Sequence, residues 1–349
     1  MLKNKFYILL ALCCSGFLAS CNDDDLEAES IFPDTSEELD PYSSTYQLDK
    51  YCEDNYREVY NIQFRYKLQD VGTDMTYNLI PAEYDKSVDL AVLTKYLWFD
   101  VYDKVVPDKN FMKTYGPRIL HLIGSPAVNP ANGTIVLGLA EGGLKVSLFN
   151  VNTMDPSDFK NLNEFYFLTM HHEFAHILHQ TKTYPTSFND ISTSYDPAGW
   201  QDRQEPVMAS MGFVSPYASS EVREDFAETI AHWITETDED WEQILDWASR
   251  GWEVVTDEAT GVQTVVETED NDGIDGRAVI LQKVQIARDW FSDAWGIDID
   301  ALRAEVQERQ LSINEEDPEH PGMTKLEYLR TLVYDIPAGD AAVTAGSSN

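Results

Sequence analysis

His172-Glu173-Phe174-Ala175-His176 is the stretch on which the reading of this chain turns, an HExxH pattern within the run HHEFAHILHQ at 171–180. In a helix, residues i and i+4 share one face, so the His172 and His176 imidazoles can reach a single metal ion. Glu173 follows one position on. Its carboxylate can approach the open coordination position from the side and act as general base toward an attacking water. Zinc suits such a set, because it accepts imidazole and carboxylate, has no redox chemistry and tolerates four or five ligands. With this chain's own His and Glu frequencies, a chance match would arise on the order of once in a hundred such chains.

Outward from the motif, residues 158–180 contain no Gly or Pro and read as one long helix, with Asp155 or Ser157 as its cap. Before it, 118–123, 134–140 and 144–150 are rich in Ile, Leu and Val and are punctuated by Asn132-Gly133 and Gly142-Gly143. These read as strands joined by tight connections. Residues 60–68 alternate apolar and polar, a further strand; 48–60 read as a short helix, and 87–106 as a helix stopped by Pro107. Beyond the motif, 181–206 are loop-like, and 221–235, 241–248, 274–295 and 299–311 are helical. A surface hairpin is expected at 254–268, about Ala259-Thr260-Gly261. The order predicts an α+β fold: a mixed or antiparallel sheet packed on the motif helix, with a mostly helical C-terminal part from about residue 270.

A third protein ligand is needed. A metzincin would place Gly three residues after the second motif His and another His three beyond that; His179 and Lys182 occupy those positions here and exclude the class. A gluzincin instead supplies Glu from a downstream helix. Arg223-Glu224-Asp225-Phe226-Ala227-Glu228 offers Glu224 as the ligand, with Glu228 on the same face as the acceptor that fixes the tautomer of a ligand His, His172 above all. Asp225, or Glu228 itself, remains an alternative ligand. His179 is expected in a hydrogen-bonded or rim role, and His171 points about 100° away from His172.

The Glu224–Glu228 segment resembles the third-ligand helix of lethal-factor-like zinc peptidases, which share the HEFxH form. In those enzymes a Tyr seven residues before the ligand Glu assists near the metal. Tyr217 holds that offset, so the resemblance implies a role for its phenol in stabilising the oxyanion or protonating the leaving group; the alternative is plain packing within its loop. The wider pattern resembles the zinc-binding metallopeptidases of Bacteroidetes, also described as substrate import-associated zinc metallohydrolase lipoproteins. The residues that carry it are Leu18-Ala19-Ser20-Cys21, Tyr60-Asn61-Ile62, the 172–180 run, Gly212-Phe213-Val214-Ser215-Pro216-Tyr217-Ala218, 224–228, Trp295-Gly296-Ile297-Asp298 and Leu302-Arg303. The resemblance implies a zincin-like fold, one catalytic Zn2+, a peptide or protein substrate, and action beside an outer-membrane importer pair.

The remaining features concern location. Lys3 and Lys5 precede a short apolar run at 6–17, and Leu18-Ala19-Ser20-Cys21 is similar to a lipobox. This predicts a lipoprotein signal peptide at 1–20, lipidation of Cys21, an acidic flexible tether at 21–45, a peptidase domain at 46–336 and a frayed tail at 337–349. With Cys13 and Cys14 removed and Cys21 lipidated, Cys52 has no partner for a disulfide. The acidic run after Cys21 resembles a surface-export signal, so an outer-membrane lipoprotein displayed at the surface is expected, the periplasmic face being the alternative. A net charge of −36 disfavours nucleic acid as a partner. Two other functions stay open: a non-catalytic binding or docking accessory of an importer with a structural or vestigial zinc, and an amide hydrolase acting on peptidoglycan or glycopeptide. An extended substrate is expected to pair with an exposed sheet edge, the strand at 144–150 being the candidate.

Overall fold

Asn61, in the left-handed region at φ 58°, stops the first helix, α1 (46–60), and turns the chain into the first strand, β1 (Gln63–Arg65). The computed structural model describes residues 39–68, 78–128, 135–136, 138–141, 145–269 and 273–339. The predicted signal peptide, the lipidation site at Cys21 and most of the predicted tether and tail lie outside the described residues. After β1 come α2 (84–105), which ends where Val106 turns extended ahead of Pro107, then α3 (Phe111–Tyr115) and β2 (Ile119–Leu122). Short strands follow: β3 (Ala127–Val128), β4 (Ile135–Val136), β5 (Gly138–Glu141) and β6 (Lys145–Leu148).

The main sheet has the order β1-β2-β6-β5. β1, β2 and β6 are parallel, and β5 closes one edge antiparallel to β6, with Phe64, Leu120, Val146 and Ala140 in register across it. The sheet is therefore mixed, as the sequence predicts. β6 does not offer the free edge expected of 144–150, because it is paired on both sides; among the described strands β5 is the edge next to it. β3 and β4 form a separate antiparallel pair.

The motif helix, α4 (159–181), is capped by Asp158, whose carboxylate accepts from the Lys160 and Asn161 backbone N–H groups at 3.0 and 3.2 Å. The expected caps are thus displaced: Asp155 instead takes the Ser157 N–H and hydroxyl. α4 contains a π-helical turn, Asn163–Phe167, just before the motif. Its core face carries Phe167, Met170, His171, Phe174 and Leu178, all buried, at helical spacing. Phe174 meets Tyr102 at 5.2 Å and Trp98 at 5.8 Å between ring centroids, and burying such a ring stabilises the fold by roughly 1.5–3 kcal/mol. His171 is on this face too, its Nδ1 3.1 Å from the Tyr102 hydroxyl. Locking one face of α4 into the core fixes the opposite ridge, where His172 and His176 sit.

Among the described residues, the elements that follow the motif helix are all helices apart from one hairpin. α5 (Glu205–Ser210), α6 (Val222–Thr235) and α7 (Asp238–Ala248) precede β7 (Gly251–Thr256) and β8 (Gln263–Thr268). Then come α8 (276–295), α9 (Ile299–Ser312) and α10 (Lys325–Tyr334). α6 buries Phe226, Ala227, Ile230 and Ile234 and packs along α4. The sequence reading passes over α3, α5 and α10; α10 nonetheless starts with a full capping box between Thr324 and Glu327. The folded unit begins at Pro41, inside the stretch read as tether, and the Gly339 N–H donates to the Pro41 carbonyl at 2.8 Å, tying the first tail residues to it. Cys52 is buried and unpaired. Among the described residues no helix is long and apolar enough to cross a membrane.

Candidate metal centre

Two stripes of residues four apart face each other between α4 and α6. On α4 they are His172 and His176; on α6, Glu224 and Glu228. Glu224 Oε2 lies 3.0 Å from His172 Nε2 and 3.2 Å from His176 Nε2, and the two Nε2 atoms are 3.0 Å apart. These atoms form a triangle that can share one ion. The far nitrogens decide whether a cation fits. His172 Nδ1 meets Glu228 Oε1 at 2.7 Å, so its proton belongs on Nδ1 and the Nε2 lone pair points inward. His176 Nδ1 meets His179 Nε2 at 2.8 Å. Burial, followed by the neighbouring His176, holds His179 down to about 4 and therefore neutral; in the tautomer with its proton on Nδ1, His179 Nε2 accepts from His176 Nδ1 and the His176 Nε2 lone pair also points inward. Once His172 gives up its second proton, two imidazole nitrogens and a carboxylate oxygen converge on one point, a donor set that suits a divalent cation of borderline softness.

The electrostatics agree. Burial disfavours the charged form of His172, yet the Glu224 and Glu228 carboxylates outweigh it and carry that imidazole up to about 10. Burial likewise works against ionised Glu224, but His172 and His176 hold its carboxyl well below the ordinary carboxylate range. The pocket therefore calls for positive charge, which a proton on His172 supplies only in part.

Glu173 lies beside this triangle. Burial raises its carboxyl, the charges of Glu224 and Glu228 add to that, and His172 and His176 oppose it. Tyr217, in a 3-10 turn just before α6, sets its ring 5.7 Å from that of His172 and 4.8 Å from that of Trp200. Burial and then the Glu224 carboxylate push its phenol up, so it stays a protonated donor. Glu228, the acceptor behind His172, is itself held by the Ser215 hydroxyl and by His232 Nε2 at 3.4 Å.

The structure brings His172, His176, Glu224, Glu173, Glu228 and Tyr217 to one place. It turns the alternative ligand Asp225 away: this carboxylate takes the fully buried Lys283 ammonium at 2.6 Å and the Tyr195 hydroxyl at 2.7 Å. The sequence reading names Ser215 only within the 212–218 motif and gives it no role, and it misses His232 and Trp200. His232 follows Glu228 at the next four-residue step on α6 and was legible from that spacing; Ser215 and Trp200 sit in loops whose path no periodicity reveals.

Comparison with known proteins agrees with this geometry. Residues 42–300 match the family described as "Putative zinc-binding metallo-peptidase". A crystal structure from Bacteroides caccae bearing the same description is 37% identical, superposes with a TM-score of 0.63, and the alignment covers 83% of this chain and 99% of that one. No curated protein matches. With a family match over most of its length and a solved relative of this identity, the chain belongs to the zinc-binding metallo-peptidase family.

Proposed function

We propose that this protein is a zinc-dependent hydrolase that cleaves peptide bonds, with His172, His176 and Glu224 as metal ligands and Glu173 as general base. The observation that carries the reading is the convergence of one ligand atom each from His172, His176 and Glu224 on a single point, with the Glu173 carboxylate at their side. When bound, the ion polarises the scissile carbonyl and acidifies water to a pKa of roughly 7. Glu173 takes the proton of the attacking water. Its raised carboxyl suits it to keep that proton briefly and hand it to the leaving nitrogen. Tyr217 donates its phenolic hydrogen to the developing oxyanion. Glu228 holds His172 by its Nδ1–H, so the ring cannot rotate away. A purely structural metal would have no use for a carboxylate at position 173, which separates this reading from that of a docking accessory.

By the lipobox resemblance, the mature chain is held to the outer membrane through lipidated Cys21, at the cell surface, and works beside a nutrient importer; protease shaving of intact cells tests the placement. The chemistry is tested on purified protein with a peptide library. Glu173→Gln is expected to keep its zinc and lose roughly 10²–10⁴-fold in turnover. Glu224→Ala is expected to lose zinc. Parental turnover in the first variant, or full zinc content in the second, overturns the assignment.

A further inference from the structure

The groove between α4 and α6 does not end at the metal centre. On α4, the four-residue stripe runs back from His176 and His172 to Leu168 and Glu164; on α6 it runs forward from Glu224 and Glu228 to His232, with Glu236 just past the helix end. Glu224 reaches both motif histidines, Glu228 reaches His172, and His232 and Glu236 share a cavity with Leu168 and Glu164. The two helices therefore run antiparallel, and the cavity lies one to two turns, roughly 5–11 Å, along the same groove. Glu228, with Ser215 and His232 on its Oε2, forms the partition between the two compartments.

This second compartment encloses about 470 Å³, a size suited to a small organic group. One wall is apolar: Phe159, Leu168, Val214, Ile244 and the half-buried Trp247. The polar wall is acidic. Lys160 is neutralised by Asp240 at 2.8 Å, and Glu236 pairs with His232 Nδ1 at 3.1 Å. Glu164 and Glu205 have no cationic partner among the described residues. The lining thus combines the Trp247 side chain and aliphatic groups with two exposed carboxylates that have no cationic partner among the described residues. Neither the metal chemistry nor the packing uses them.

We infer that this cavity is a second binding site, for an amine or guanidinium carried on an apolar stem. The stem lies against Leu168, Ile244 and Trp247, where the indole also attracts the cation, and the charged head meets Glu164 and Glu205. The same chemistry is offered by a free alkylamine or alkylguanidine and by a Lys or Arg side chain of a peptide. The site is independent of the hydrolytic reading, because none of its acids touches the metal triangle.

Calorimetric titration of the full chain tests it, in chelator so that the metal centre plays no part. The probes are butylguanidinium, its neutral counterpart butan-1-ol, and the capped peptides acetyl-Ala-Arg-Ala-amide and acetyl-Ala-Gln-Ala-amide. Saturable binding of butylguanidinium but not butan-1-ol is expected, weakened roughly tenfold in Glu164→Gln/Glu205→Gln. Both positions are exposed, so the variant is expected to keep its parental melting temperature. Glu258→Gln, on the hairpin turn and outside the cavity lining, is the control for diffuse attraction by a chain of net charge −36 and is expected to bind as the parent does. Binding of the Arg peptide in preference to the Gln peptide assigns the source to a peptide side chain; binding of butylguanidinium alone assigns it to a free small cation. The inference fails if butylguanidinium does not saturate, if butan-1-ol binds equally, or if the double variant and Glu258→Gln behave alike.

Discussion

At the scale of single residues, Glu228 and His232 show how the metal centre is supported. Glu228 has one oxygen on His172 and the other on Ser215 and His232, so three of the roughly four acceptor positions of this buried carboxylate are engaged. Glu228→Gln keeps the size but removes the charge behind His172. Zinc affinity is expected to fall about 10–100-fold, read by competition with a chromogenic chelator; an unchanged affinity would remove Glu228 from the argument. His232 carries a pH signature. Burial opposes its charge, but Glu228 and Glu236 raise it to about 10 in the folded chain, against an ordinary 6.5. Between those values the folded state holds a proton that the unfolded state has released. Stability from this pair is therefore full below pH 6.5 and is lost as pH rises through about 10. Melting temperature plotted against pH is expected to decline over that window in the parent and to decline less in His232→Gln.

At the scale of elements, the loop between α5 and α6 carries Ser215 and Tyr217, and its position is set from α8. Lys283, wholly buried, donates to the Gly212 carbonyl at 2.7 Å and pairs with Asp225 on α6 at 2.6 Å. Its ammonium lies 4.2 Å from the Phe213 ring centroid. Gly212 itself is at φ +87°, and a Cβ there would come within 2.2 Å of Val279 on α8. One lysine thus ties three elements that must agree for Tyr217 and Glu224 to face the same point. Burial lowers Lys283 and raises Asp225, so each charge persists through the other. Lys283→Met leaves Asp225 buried without its partner and is expected to cost about 3–5 kcal/mol in denaturant unfolding. Adding Asp225→Leu is expected to recover much of that loss, since an apolar pair needs no compensation. Additive losses in the double variant would contradict this account.

At the scale of the whole molecule, the metal links two halves of the chain. His172 and His176 come from the helix that follows the sheet, and Glu224 from the helical part some fifty residues later. An ion held by all three binds the folded state alone, so it stabilises by mass action: about 2.7 kcal/mol at a free zinc concentration a hundredfold above the dissociation constant. The melting temperature is expected to fall on chelation and to recover when zinc is restored. Glu224→Ala is expected to show little response to either treatment. A parental chain equally indifferent to zinc would sink the three-ligand site.

Much of this was legible beforehand, because local chemistry writes itself into spacing. The HExxH step of four places two imidazoles on one ridge whatever surrounds the helix, and the Glu224/Glu228 step of four does the same for two carboxylates. Apolar spacing before Pro107 marked α2, an unbroken run without Gly or Pro marked α4, and Ile, Leu and Val runs between Asn-Gly and Gly-Gly turns marked strands before the motif. The sequence by itself thus determined which side chains share a face, because that depends only on the helical repeat. Tertiary structure alone decided which faces meet: that Glu224 rather than Asp225 turns toward the histidines, that β6 lies inside the sheet, that Ser215 and His232 close behind Glu228, and that a cavity remains beyond them. Those outcomes depend on packing between segments distant in the chain, where the core fills one arrangement densely and leaves the others with buried charge unpaired.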